Sequence, residues 1–201
     1  MPKIKQSPKL PPEERRQQLL KAARKLFLKK GYRMTTTEEI ARTAGLTKGA
    51  LYHHFKSKED MLYELIKKLT EKMDTSIHEM IKKNMEPIEI LRLMLSHHVG
   101  FEPDLMRDMI DIYAQSLRIA RIKRYIGKKM SEGIRLFGEN LNPRYTGDKK
   151  LLNELVVFIL ALHHGLSVMK MFAPSLVNEE KQIKFIETYL NLDTLAGKSK
   201  G

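Results

Sequence analysis

Residues 35–59 read TTTEEIARTAGLTKGALYHHFKSKE, and the placing of a few polar residues and one glycine in this stretch decides the fold. Thr36 and Glu39 have the spacing of a capping box, in which hydroxyl and carboxylate each satisfy a backbone amide left over at a helix start. A short helix therefore runs over 36–44 through Ile40, Ala41 and Ala44. Gly45 breaks it, and Thr47 caps a second short helix running to about Phe55. Ser57 and Asp60 repeat the capping-box spacing and open a third. Two short helices around a tight glycine turn have the length and spacing of a helix-turn-helix.

Helical periodicity continues on both sides. Upstream, Leu19, Ala23, Leu26 and Phe27 fall on one helix face and Gly31 supplies the stop. Ile40, Ala44, Leu46, Leu51 and Phe55 can pack against Leu26 and Phe27, completing a three-helix head. Downstream, Leu62, Leu65, Ile66, Leu69, Met73, Ile77 and Ile81 keep one apolar stripe on a helix roughly 35–40 Å long. Further helices are expected from near Pro87 and Pro103, over Ile119–Phe137, over Asp148 to about Phe172, and over about Asn178–Leu190, with Pro174 as a stop. No alternating β-branched runs with hairpin turns occur. The expectation is an all-α chain of about nine helices: a helix-turn-helix head and a larger helical bundle.

Four parts follow from this reading. Residues 1–12, with four prolines and three lysines, read as a disordered basic arm. Residues 13–57 form the helix-turn-helix domain, residues 58–195 the larger helical body, and residues 196–201 a frayed tail. The 201 residues suffice for a core without disulfides or metal, and the absence of cysteine excludes thiol catalysis and thiolate zinc sites. The longest uninterrupted apolar run, Leu155–Leu162, falls well short of the ~20 residues that span a bilayer. The opening Met1-Pro2-Lys3-Ile4-Lys5 has no apolar stretch behind it and is no secretory signal. The expected setting is cytoplasmic, with no membrane partner.

Charge separates the head from the rest. Residues 1–60 hold 15 Lys/Arg and 6 Asp/Glu, a net of +9, whereas residues 61–201 hold 22 and 18, a net of +4. A polyanion partner for the head is the leading expectation. At about 100° per residue, Leu51 and Phe55 set the buried side of the second short helix. Gly49 and His53 then point almost opposite, with Ala50 and Tyr52 on the flanks. Such a face is small enough to enter a major groove.

Gly49 costs about 1 kcal/mol relative to alanine inside a helix. Either the bare backbone must approach DNA closely, or a first turn simply tolerates it. Thr47 and Lys48 stand at a helix N-terminus, where hydroxyl, amide and ammonium can converge on phosphate. Thr37 offers the same at the preceding helix. Tyr52 and His54 are phosphate donors, unless Tyr52 simply packs in the head. Lys56 and Lys58 add backbone charge contacts, or belong to an ordinary solvated turn.

This stretch, with Ala22-Ala23-Arg24-Lys25-Leu26-Phe27 and Lys30-Gly31-Tyr32 before it, resembles the signature of the TetR family over about residues 14–66. The resemblance implies a homodimeric transcriptional regulator, usually a repressor, released from a palindromic operator by a small ligand, with residues 58–195 as its ligand-binding and dimerisation domain; no cofactor is expected. On matching positions it implies DNA contacts by Thr37, Thr47, Lys48, Gly49, Tyr52, His54 and Lys58. Ala50 offers apolar contact to a thymine methyl, and His53 reads a base or holds a second phosphate.

Two heads on a two-fold operator require a self-complementary apolar surface. Leu155, Val156, Ile159 and Leu160 with Ile183, Ile186, Tyr189 and Leu190 are expected to form it, the alternative being that they are the monomer's own core. The methionines of the middle helices, among them Met94, suit an adaptable pocket for a largely apolar effector, or an ordinary core. His98, Tyr113 and His163 are further effector candidates beside the plain reading of core or surface residues. Two rival classes are a sequence-independent nucleoid-type protein and an all-α metalloenzyme. Against the second, Glu-x-x-His, His-Glu-x-x-His, Gly-x-Ser-x-Gly and the P-loop pattern are all absent.

Overall fold

The computed structural model describes residues 10–83, 85, 89, 114–141 and 149–189, and among them there are helices and no strand. The helices are α1 (Pro12–Lys30), α2 (Thr37–Thr43), α3 (Lys48–His54), α4 (Lys58–Lys82), α5 (Ala120–Leu141), α6 (Lys149–Phe172) and α7 (Glu179–Tyr189), with a 3₁₀ turn over Pro174–Leu176 before α7. The helices expected from Pro87 and Pro103 lie outside the described residues, as do most of the basic arm and the whole tail.

The chain divides into two compact units. Of the described residues, the first unit holds 10–71 and 114–123, and the second holds 72–83, 85, 89, 124–141 and 149–189. The core of the first unit is Leu19, Leu20, Ala23 and Phe27 of α1, Ile40 and Ala41 of α2, Leu51 of α3 with Phe55 behind it, and Met61, Leu62 and Ile66 of α4. All are almost fully removed from water. Leu26 and Leu46 sit at the margin, half-buried. Proline in the first turn starts α1, and Gly31 at φ 82° ends it in a backbone conformation that glycine adopts without strain. Gly45, at φ 66°, makes the α2–α3 turn for the same reason.

In the second unit, α6 and α7 pack through Ile159, Ile183 and Ile186, flanked by Leu155, Leu162 and Leu166. Val156, Ile159, Ile183 and Ile186 are each no more than 5% exposed, and Leu160 is half-buried. Several of these residues, expected to meet a second copy, pack α6 against α7 within one chain. The reason is that α6 is apolar on several faces, and its inner one is already used by α7. Tyr189 ends α7, and Leu190 lies outside the described residues. The outward stripe of α6 is Phe158, Ala161, Gly165, Val168 and Phe172, at alternating spacings of three and four, with Phe158 46% and Phe172 84% exposed. Asn153–Phe172 is long and apolar enough by length and composition to cross a bilayer, more than the uninterrupted run suggests. Its inner face nevertheless carries buried His163 and Ser167.

Candidate nucleic-acid interface

The two short helices start as capping chemistry dictates. Glu39 N donates to Thr36 Oγ1 at 3.2 Å and Thr36 N donates to Glu39 Oε2 at 2.9 Å, closing the box at α2. Ala50 N donates to Thr47 Oγ1 at 3.2 Å at α3, and Asp60 N to Ser57 Oγ at 3.1 Å at α4. Lys30 of α1 also bonds Glu39. That ammonium and the Thr36 donors hold the Glu39 carboxyl down to about 2.

Three long side chains fix how the helices sit against one another, and none of these contacts is local in sequence. Gln18 Nε2 donates to Ala44 O at 2.8 Å, satisfying the end of α2. Arg16 Nη1 donates to His54 O at 3.0 Å at the end of α3, while its guanidinium lies 4.2 Å from the Phe55 ring centroid. Its other terminal nitrogen meets Glu64 of α4 at 3.0 Å. Lys58 is the third: Nζ donates to Tyr32 O at 2.7 Å and Thr35 O at 2.8 Å and sits over the Tyr32 ring. This lysine, expected at a phosphate, fastens the loop between α1 and α2. Partial burial, with Lys30 nearby, shifts its ammonium below the ordinary lysine value. The missed signal was long donors near helix ends whose carbonyls need partners.

What these clamps leave outward is one polar face. Thr47, Lys48, Gly49, Tyr52 and His53 are exposed, and Thr37, Ala50 and His54 are half-buried. Thr37 and Tyr52 bring their hydroxyls together across the two helices. Lys48 pairs with Glu38 of α2, which holds the carboxyl below and the ammonium above their ordinary values. Both stay charged at neutral pH. A side chain added at Gly49 would meet only Thr47 Oγ1, 3.9 Å from the new carbon, so nothing in the chain itself requires a glycine there.

Of the expected effector residues, His163 lies in the second unit, 1% exposed, its ring 5.5 Å from that of His164. Met94, His98 and Tyr113 lie outside the described residues. Among the described residues no three His, Asp or Glu side chains gather closely enough to hold a metal ion.

Comparison with known proteins bears on the same segment. Residues 19–65 match the family model described as bacterial regulatory proteins, tetR family. The transcriptional repressor KstR2 of Mycolicibacterium smegmatis is 36% identical over 80 residues, covering 40% of this chain and 39% of that one. The match thus spans about two fifths of that relative's length. PksA, a transcriptional regulator of Bacillus subtilis, is 26% identical over 175 residues, 84% of each chain. Among solved structures, a transcriptional regulator of Aquifex aeolicus superposes with a TM-score of 0.64 at 25% identity, over 89% of this chain and 98% of that one. GusR of Salmonella enterica gives 0.69 at 18% identity over 95% and 100%, a likeness of fold alone.

Proposed function

We propose, from the match of residues 19–65 to the model of the tetR family of bacterial regulatory proteins, that the chain is a sequence-specific DNA-binding transcriptional regulator of that family, a repressor released by a small molecule. Two heads of a homodimer engage a palindromic operator in the cytoplasm. In each, α3 enters the major groove with Gly49 bringing backbone against the duplex. Thr37, Thr47, Lys48, Tyr52 and His54 hold phosphates, and Ala50 and His53 face base edges. The observation that carries this reading is the glycine: it stands on an exposed helical face, costs helix stability, and serves no packing need.

Dimerisation is assigned to the outer face of α6. Phe158, Ala161, Gly165, Val168 and Phe172 form a seam of heptad spacing, and nothing lies within 4 Å of a side chain added at Gly165. Small residues at its middle let two such helices approach closely, with the phenylalanines closing the ends. The effector is assigned to the helical body, near His163, and is largely apolar. It acts by favouring a head spacing that does not match successive grooves, ~34–36 Å apart.

Selection of bound fragments from a random DNA pool, followed by titration of the selected and scrambled duplexes, tests the proposal. A selected palindrome bound at least ~1000-fold more tightly than its scramble is the expected result. Equal affinity for both would instead identify a sequence-independent nucleoid-type protein.

A further inference from the structure

α4 and α5 are the described helices whose residues fall in both compact units, and α5 begins in the same unit as the DNA-facing helices. Ile122 anchors that beginning with no exposed surface, and Ser116 just before it is buried too. Between them, Arg121 turns towards the first turns of α4. Its Nη1 meets Asp60 Oδ1 at 2.9 Å and its guanidinium lies 4.1 Å from the Tyr63 ring centroid. The ion pair and the ring contact together define both the position and the plane of the group, which an ion pair alone does not do.

The residue after Tyr63 is Glu64, which holds Arg16, and Arg16 in turn holds the last carbonyl of α3 and covers Phe55. Two sets of contacts therefore adjoin on the first turns of α4: Arg121 with Asp60 and Tyr63, and, at the next residue, Glu64 with Arg16, which reaches His54 at the end of α3. Tyr63 and Glu64 are consecutive residues of one helix, so the two sets of contacts share the first turns of α4. In the second unit, Lys129 of α5 meets Asp74 of α4 at 2.8 Å, so the same two helices are tied there as well.

We propose that Arg121 is a positioning residue for DNA recognition, through which α5 sets the first turns of α4 and, by way of Arg16, the C-terminal end of α3. The inference rests on the regulator reading but names a residue outside the DNA-facing surface. In the free protein, movement of α5 changes the seating of α3. On DNA, that seating changes affinity for the selected site while leaving loose phosphate contacts alone.

Hydrogen exchange on the full chain, compared for the parent, Arg121→Ala and Arg121→Lys, tests this without any DNA. Arg121→Ala is expected to speed exchange at residues 51–56 and the first two turns of α4 while α1 and α2 keep parental protection. Arg121→Lys, which keeps the charge but not the planar contact with Tyr63, falls between. Unchanged exchange at 51–56, or a uniform rise across the whole head, overturns the proposal by reducing Arg121 to a spectator or a general stabiliser. On DNA selected by the parent, Arg121→Ala should weaken binding roughly 3- to 10-fold with affinity for scrambled duplex unchanged. Equal loss on both duplexes also overturns it. A parent that selects no DNA defeats the regulator reading, and the exchange measurement still decides the role of Arg121.

Discussion

The hydroxyls of Thr37 and Tyr52 lie 3.3 Å apart, one from the first turn of α2 and one from the outward face of α3. Two such groups at that distance can share a single phosphate oxygen, each donating one hydrogen bond. Thr37→Val and Tyr52→Phe should each weaken DNA binding roughly 3- to 10-fold with little change in thermal stability. If one oxygen takes both bonds, the double variant loses less than the product of the two single losses, as a titration of all four proteins will show.

Lys48 and Glu38 form an exposed pair beside that face. Their opposite effects on a phosphate give an internally controlled test. Lys48→Ala should weaken binding to every duplex and reduce the slope of log affinity against log salt by about one. Glu38→Gln removes a carboxylate that repels phosphate and competes for the ammonium, so it should tighten binding to all duplexes. A salt titration that leaves the Lys48→Ala slope at the parental value would remove this lysine from the interface.

Gly49→Ala separates folding from function. The added methyl meets only Thr47 Oγ1 at 3.9 Å, and alanine favours helix by up to about 1 kcal/mol. Thermal unfolding should therefore show an unchanged or more stable protein. DNA affinity should fall at least ~10-fold if the backbone at 49 must touch the duplex, one factor of ten being about 1.4 kcal/mol. Stability and affinity moving in opposite directions is the signature; affinity that stays level ends the close-approach argument.

The capping box of α2 makes stability depend on acid. The carboxyl of Glu39 is held at about 2 against an ordinary value of 4.5, first by the Lys30 ammonium and then by the Thr36 backbone and side chain. Because the folded value is depressed, its contribution is fully present above about 4.5 and is lost as the pH falls from there through about 2. Urea midpoints at pH 5 and pH 2.5 should therefore drop further for the parent than for Glu39→Gln, which carries no titrating group.

Adjacent residues of α6 should fail in different ways. Ile159 is 5% exposed inside the α6–α7 seam, so Ile159→Ala should cost about 2–5 kcal/mol of folding stability. Phe158, one residue earlier and 46% exposed, faces outward. Phe158→Asp should leave the helical signal intact and shift sedimentation from dimer to monomer at micromolar concentration. A dimer that persists in Phe158→Asp places the interface elsewhere.

How far each feature was legible follows from how far apart its partners lie. Thr36 with Glu39, Thr47 with the amide of Ala50, and Ser57 with the amide of Asp60 are contacts three residues apart, so reading the chain was enough to place the starts of α2, α3 and α4. The outward face of α3 was equally accessible, because Leu51 and Phe55 orient a helix whatever surrounds it. Lys58 was not. Its ammonium had a phosphate or a carbonyl as plausible partners, and the carbonyls it found belong to Tyr32 and Thr35, 26 and 23 residues away.

Periodicity, capping and charge, all local properties of the chain, by themselves determined an all-helical protein with a basic helix-turn-helix head and an exposed Thr47–His53 face. Only the tertiary structure decided which side of α6 is inside and what the long cations hold. A helix apolar on several sides has no preferred face until a neighbour such as α7 covers one. Likewise Arg16, Lys58 and Arg121 can reach in many directions, and only packing brings His54, Thr35 and Asp60 within their range.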